Sequence, residues 1–435
     1  MPQHTSIKLN LALVASPTIV ASCNISRSGS FLLVFLLGLG VVLVAAPSTS
    51  NRLLPTWSGA VLPAVGLWIA LRPNYPNTTA DTVFFVLATG ILACAVYVSH
   101  SKSSALISLH LGVGILLTTA VAVRVLGVSA ANSGQAVSGN IITGGERVLF
   151  ALTGSLVQGP VLAAVYLVAA PALLRFTRQY RILQLGLIAP STYVLVQSDR
   201  RSALFVTLFL IASVTMTPRL LRRFAPALVG FAITIPTTFG LFQELWNSIG
   251  TLNLAFALQR EGEKANLGGR FGIWTRAMNF YTDRTDWLHQ MFGFGTNGPV
   301  VSGASSTYGS AFGGLTRDRI LRTPHNSAIQ LLFDGGWIAT GSFVIAVIYA
   351  AWLLSRCDSA AYLGGLAMIT AAAGVGMTES VLSPSIGSSI WWTLLLIVTI
   401  ALSRESSSSR DNAVGRVGVG HSGQRVINKP VRGIT

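Results

Sequence analysis

The sequence predicts an all-α polytopic membrane protein of about twelve transmembrane helices with one large extracytoplasmic loop. Three observations carry that prediction. Half of the 435 residues are hydrophobic, only 10% are charged, and the mean hydropathy is +0.62; a soluble domain carries roughly a quarter charged residues. Apolar runs of helical length recur along the chain, without the alternation that marks outer-membrane strands. A single long polar interval, 243–325, interrupts them, and it holds six of the fourteen acids, eight of the thirty bases and two of the six histidines.

The apolar runs are 8–22, 29–46, 57–71, 81–99, 105–123, 147–172, 183–197, 202–217 and 222–241, then 328–353, 360–376 and 387–403. Several fall short of the ~20 residues that span a bilayer untilted. These divide the chain into an N-terminal bundle of about nine helices (1–241), the large loop (242–327), a C-terminal set of helices (328–403) and a tail (404–435). Val20-Ala21-Ser22-Cys23 faintly resembles a lipoprotein cleavage box, and a first membrane helix accounts for the same residues. Cys23, Cys94 and Cys357 are far apart, with no CxxC or Cys/His spacing, so neither a disulfide framework nor a zinc site is expected.

Charge fixes the expected orientation. Arg175, Arg178 and Arg181 crowd one short connection, and Arg219, Arg222 and Arg223 crowd another, with two runs between them. The excess of bases in cytoplasmic loops puts both connections inside, together with Arg52, Lys102, Arg356 and both termini. The loops 72–80 and 124–146 and the long loop then fall outside. The net charge of +16 is thereby assigned largely to topology and anionic lipid, with no nucleic acid partner. The Ser-, Gly- and Arg-rich tail reads as a disordered cytoplasmic extension. No Walker A, Rossmann or EF-hand pattern occurs.

One short connection breaks the charge rule. Ser198-Asp199-Arg200-Arg201-Ser202 is expected outside, yet carries two adjacent arginines. Either it is a solvated turn in which Asp199 pairs with an arginine, or it holds a guanidinium at the outer surface for an anionic ligand. In the long loop, Phe271, Trp274, Met278 and Tyr281 recur at helical spacing, predicting an amphipathic helix near 270–282 that lies at the membrane interface. Arg270 stands at its start, as an anion-binding residue or an ordinary capping one. Gly293-Phe294-Gly295 reads as a tight turn, and 302–315 as a flexible connector or a lid.

Pro324 cannot continue a helix from before it, so the next helix is expected to begin at about His325, with His325 and Asn326 in its first turn. A neutral imidazole there is a candidate proton acceptor, or a histidine marking the interface. Glu379, beside Ser380 in the last outer loop, either orients His325 or Arg270 or is simply solvated. Glu261 and Glu263 are weaker acid/base candidates, and the scattered acids of the loop offer no metal cluster.

Gly269-Arg270 with Trp274, then Gly293-x-Gly295, then His325-Asn326 followed by Leu331-Leu332-Phe333-Asp334-Gly335-Gly336 resemble, in that order, the O-antigen ligase/polymerase superfamily. Ser198-Asp199-Arg200-Arg201-Ser202 is similar to that family's arginine turn. The resemblance covers roughly 195–345 by motif and the rest by topology. It departs at Ser327-Ala328, where an aromatic is common, and the arginine pair leaves open which of Arg200 and Arg201 matches.

The resemblance implies a membrane-embedded glycosyltransferase, inverting and without a metal or other cofactor. It would move a glycan from an undecaprenyl-diphosphate carrier to a hydroxyl acceptor (glycan, lipid or protein) outside the plasma membrane. By the same resemblance His325 is catalytic, and Arg270 and Arg200 or Arg201 bind the lipid diphosphate. Arg322 is a further phosphate candidate by position, and Asn326, Trp274 and Glu379 are supporting residues. Two other classes compete: a transporter or flippase, which would show related halves and ionisable groups deep in its helices, and a peptidoglycan-type glycosyltransferase, which would need an essential acid.

Overall fold

A computed structural model describes residues 8–45, 52–72, 79–127, 147–234, 270–309 and 323–405, and within them every apolar interval of the sequence carries a helix. The first nine are α1 (Leu11–Ala21), α2 (Arg27–Ala45), α3 (Val61–Ala70), α4 (Thr79–Tyr97), α5 (Lys102–Val125), α6 (Gln158–Phe176), α7 (Arg181–Gln197), α8 (Arg201–Met216) and α9 (Pro218–Thr234). Among the described residues of the polar interval there are four helices: α10 (Arg270–Arg284), α11 (Trp287–Phe292), α12 (Gly298–Val301) and α13 (Ala304–Gly309). Then come α14 (Ser327–Ser355), α15 (Ala360–Gly376) and α16 (Ser389–Leu402). Strand among the described residues is confined to β1 (Leu53–Leu54) and β2 (Arg404–Glu405), paired antiparallel.

The chain is therefore an all-α membrane protein. Among the described residues, four helices are long and apolar enough to cross a bilayer: Thr79–Tyr97, Lys102–Val125, Gln158–Arg175 and Ser327–Ser355. Shorter apolar helices surround them. Large apolar side chains stay exposed on α2 (Leu32, Phe35), α8 (Phe205, Phe209) and α9 (Phe224, Phe231). Water would penalise such a surface, whereas lipid accepts it.

The packing places α15 against α6, α8 and α9, and α14 against α3, α9 and α11. Small residues let α15 sit deep: Gly364 faces Leu173 and Gly365 faces Leu106 at close contact. Asn10 knots α1 to its neighbours. It caps α1 through Ala12 N and Leu13 N, and donates to Ala95 O at 2.8 Å and Ser99 Oγ at 2.7 Å. This α1 helix, and the Cys23 thiol donating to Ile386 O, place residues 8–24 inside the fold.

Two helices depart from the apolar pattern, both at glycines with positive φ. The run 147–172 is α-helical only from Gln158: a single 3-10 turn at Ala151–Thr153 ends at Gly154, which turns left-handed (φ 73°) with the Asn24 side chain packed against it. Helix α14 is broken at Gly336 (φ 70°, ψ −173°), which frees backbone carbonyls one turn earlier.

Helix direction gives the bundle two ends. Gln158 Oε1 accepts from Ser389 N, so the starts of α6 and α16 share one end with the α15–α16 connection. The opposite end gathers Lys102, whose Nζ donates to Ala401 O, and the bases of the α6–α7, α8–α9 and α14–α15 connections.

Candidate functional site

Glu379 is the centre of a buried cluster at the first of these ends. Its side chain is 1% exposed, and it lies in the turn between α15 and α16. Oε1 accepts from Arg270 Nη2 at 2.7 Å and from Arg200 Nη1 at 3.3 Å, and Oε2 accepts from His325 Nδ1 at 3.3 Å. Burial alone would raise the carboxyl pKa. The Arg200 and Arg270 guanidiniums, with help from the His325 hydrogen bond, outweigh it and hold the group down at about 2, so Glu379 is an anion. One carboxylate between two arginines leaves a net positive charge. Both guanidiniums remain 20% exposed, so that charge is open to a ligand.

Each partner is aimed by local backbone. Asp199 takes a left-handed conformation (φ 43°) at the end of α7, which delivers Arg200 as the extended residue just before α8. The Asp199 carboxylate also pairs with Arg147 at 3.7 Å. Arg270 is the first residue of α10. His325 too is left-handed (φ 50°) and precedes the helix instead of standing in its first turn as the sequence suggested. The helix start is set by Asn326, whose side chain caps Ile329 N at 2.9 Å, a role that the residue before it cannot share.

The same end of α14 is stitched to the Glu379 turn. Asn326 Nδ2 donates to Met377 O at 2.6 Å, and Asn326 N donates to Ser380 Oγ at 2.9 Å. Ser327 Oγ donates to Glu379 O and accepts from Val381 N at 3.0 Å and Leu382 N at 3.1 Å. Trp274 Nε1 donates to Pro324 O at 3.0 Å, which ties α10 to the segment before His325. Three stretches remote in sequence are thus bound together by side chains of one that hydrogen-bond the backbone of another.

The apolar face of α10 faces protein, where the sequence suggested a membrane interface. Ile273, Trp274, Ala277 and Tyr281 are buried, and they form a second core with Tyr308, Ile329, Leu332 and Phe333. Residues 304–309 are accordingly a packed helix, with Ala304 and Tyr308 fully buried, and not a free connector.

Sequence reasoning missed how the glycine motifs work. Phe294 N donates to Phe333 O and Gly295 N to Asp334 O, both at 2.7 Å, using the carbonyls freed by the break at Gly336. A side chain on Gly293 would strike Asp334 O at 2.5 Å, and one on Gly336 would strike the Met291 carbonyl. Asp334 is buried beneath this crossing. It accepts from Gly298 N at 2.7 Å, from Gln330 Nε2 at 3.0 Å and from Ser383 Oγ. The signal was present as two glycine pairs, but the sequence did not say that they meet.

Of the expected site residues, Arg200, Arg270, His325 and Glu379 come together, and Trp274 and Asn326 hold the surrounding backbone. Arg201 opens α8. Arg322, Glu261, Glu263, residues 310–315 and the tail from 406 lie outside the described residues. No protein-family model and no curated protein matches the chain.

Proposed function

We propose that the chain transfers a glycan from an undecaprenyl-diphosphate carrier to a hydroxyl acceptor, as a polysaccharide polymerase or ligase. The observation that supports this most is the Glu379 cluster: two guanidiniums and an imidazole converge on one buried carboxylate. The motifs that resemble the O-antigen ligase/polymerase superfamily supply its members.

The chemistry follows from those groups. A carboxylate accepts only, so His325 Nδ1 carries the proton toward Glu379 and Nε2 is left basic. Nε2 takes the acceptor hydroxyl proton as that oxygen attacks the anomeric carbon. The bond from that carbon to the diphosphate oxygen breaks on the opposite face, with inversion. Negative charge then grows on the departing diphosphate, where Arg270 and Arg200 meet it with no reorganisation. Glu379 stabilises the imidazolium that forms.

In this reading the shorter helices also span, giving about twelve crossings of the plasma membrane. The basic end carrying Lys102, Arg175 and Arg222 is cytoplasmic together with both termini, and the Glu379 end is extracytoplasmic. The test is deletion of the gene with complementation by His325→Ala, sizing lipid-linked and surface glycans. Loss of long chains with single units still attached identifies a polymerase. Accumulation of full-length lipid-linked chains identifies a ligase. Unchanged glycans with His325→Ala sink the assignment.

A further inference from the structure

At the end of the bundle opposite Glu379, a cavity of about 280 Å³ opens between α6, α8, α9 and α15. Its walls divide by chemistry. Ala172, Val214, Ala360 and Leu363 line the side toward the helices, and Arg175, Arg219 and Arg222 line the rim with Asp358. Three guanidiniums against one carboxylate leave an excess of two positive charges. Asp358 pairs with Arg222 Nη1 but is itself fully solvent-exposed, so it yields readily to a competing anion.

Backbone geometry adds to this. Pro218 is the first residue of α9 and Ala360 the first of α15, so two long helices present their N-terminal dipoles at the cavity. Arg222 is already positioned by Nη2 donating to Ser359 O at 3.2 Å, whereas Arg175 and Arg219 are exposed and uncommitted to the Glu379 chemistry. An apolar wall below a cationic rim matches an amphiphile better than a free ion. We propose that this cavity binds the phosphate of an anionic lipid headgroup, with the glycerol and upper acyl chain against the apolar wall. The site is independent of the transfer reaction.

The experiment uses the full chain purified in detergent and titrated with phosphatidylglycerol, phosphatidylcholine or inorganic phosphate, read by native mass spectrometry. The double variant Arg175→Gln/Arg219→Gln is compared with Arg223→Gln, an exposed base on α9 that does not line the cavity. One phosphatidylglycerol is expected to bind more tightly than phosphatidylcholine, and roughly tenfold more weakly in the double variant. Arg223→Gln is expected to match the unmodified chain. Unchanged binding by the double variant, or an equal loss with Arg223→Gln, overturns the site. Full displacement of the lipid by an equal concentration of inorganic phosphate overturns the lipid assignment. Should the double variant aggregate, Arg219→Gln alone is read against the same outcomes.

Discussion

Ser327 Oγ donates a 2.6 Å hydrogen bond to the backbone carbonyl of Glu379, fifty-two residues away in the chain. The same oxygen accepts from Val381 N and Leu382 N. One hydroxyl therefore fixes the turn that carries the site's only carboxylate among the described residues. Ser327→Ala leaves Leu382 N without this partner, while Val381 N and Glu379 O keep only their own 3.1 Å hydrogen bond, and it is expected to cost about 1–3 kcal/mol. A melting temperature lowered in Ser327→Ala but kept in Ser327→Thr checks this; unchanged melting in Ser327→Ala refutes it.

Glu379→Gln tests the cluster itself. It removes the charge that both arginines share and leaves them partly buried without it. Breaking a buried pair costs on the order of 3 kcal/mol, and His325 loses the anion that sets its tautomer. Transfer is expected to fall by roughly 10²-fold or more. Activity within a factor of two of the unmodified chain removes Glu379 from the site.

Arg270→Lys keeps a charge but loses the planar fork. On the reading above, transfer falls by roughly 10²–10³-fold, mainly in kcat, because the lost contact is to charge that develops in the transition state. A loss confined to KM would mean that Arg270 only binds the carrier. Transfer is expected to persist in excess EDTA, since guanidiniums neutralise the diphosphate; strict dependence on a divalent ion would rule that out.

Acid should loosen the site. The Glu379 carboxyl sits at about 2 in the folded chain against an ordinary 4.5. The unfolded chain therefore binds more protons in that window, and the stabilisation is complete above pH 4.5 and lost as pH falls toward 2. The amount at stake is on the order of 3 kcal/mol. Thermal unfolding between pH 5 and 3 should show a steeper loss in the unmodified chain than in Glu379→Gln.

Gly336→Ala and Gly293→Ala probe the crossing under the site. Both positions have positive φ, and the added methyl meets backbone that cannot move aside. A loss of about 2 kcal/mol or more is expected at either position. Gly341→Ala, with open space around its Cα, serves as the control within α14. Equal effects at Gly336 and Gly341 would contradict the interlock.

The helical class, the arginine turn at 200–201 and the candidates Arg270, His325 and Asn326 were legible in the sequence because each rests on local information. Apolar period, a proline before a helix, or an arginine in a short turn can be read within a few residues. The choice between Arg200 and Arg201 could not. It depends on the left-handed turn at Asp199, which aims Arg200 at a carboxylate 179 residues away. Glu379 stood in the sequence as a residue that either orients His325 or Arg270 or is simply solvated, and only the fold, which buries it between two guanidiniums, decides between them. The same holds for Gly293 and Gly336: each glycine was visible, but only packing brought Phe294 N and Gly295 N to the carbonyls freed by the break in α14. Local patterning decides which segments become helices, because a backbone in lipid must satisfy its own hydrogen bonds. Which polar groups then share one buried volume depends on how those helices pack, and only the tertiary structure decides that.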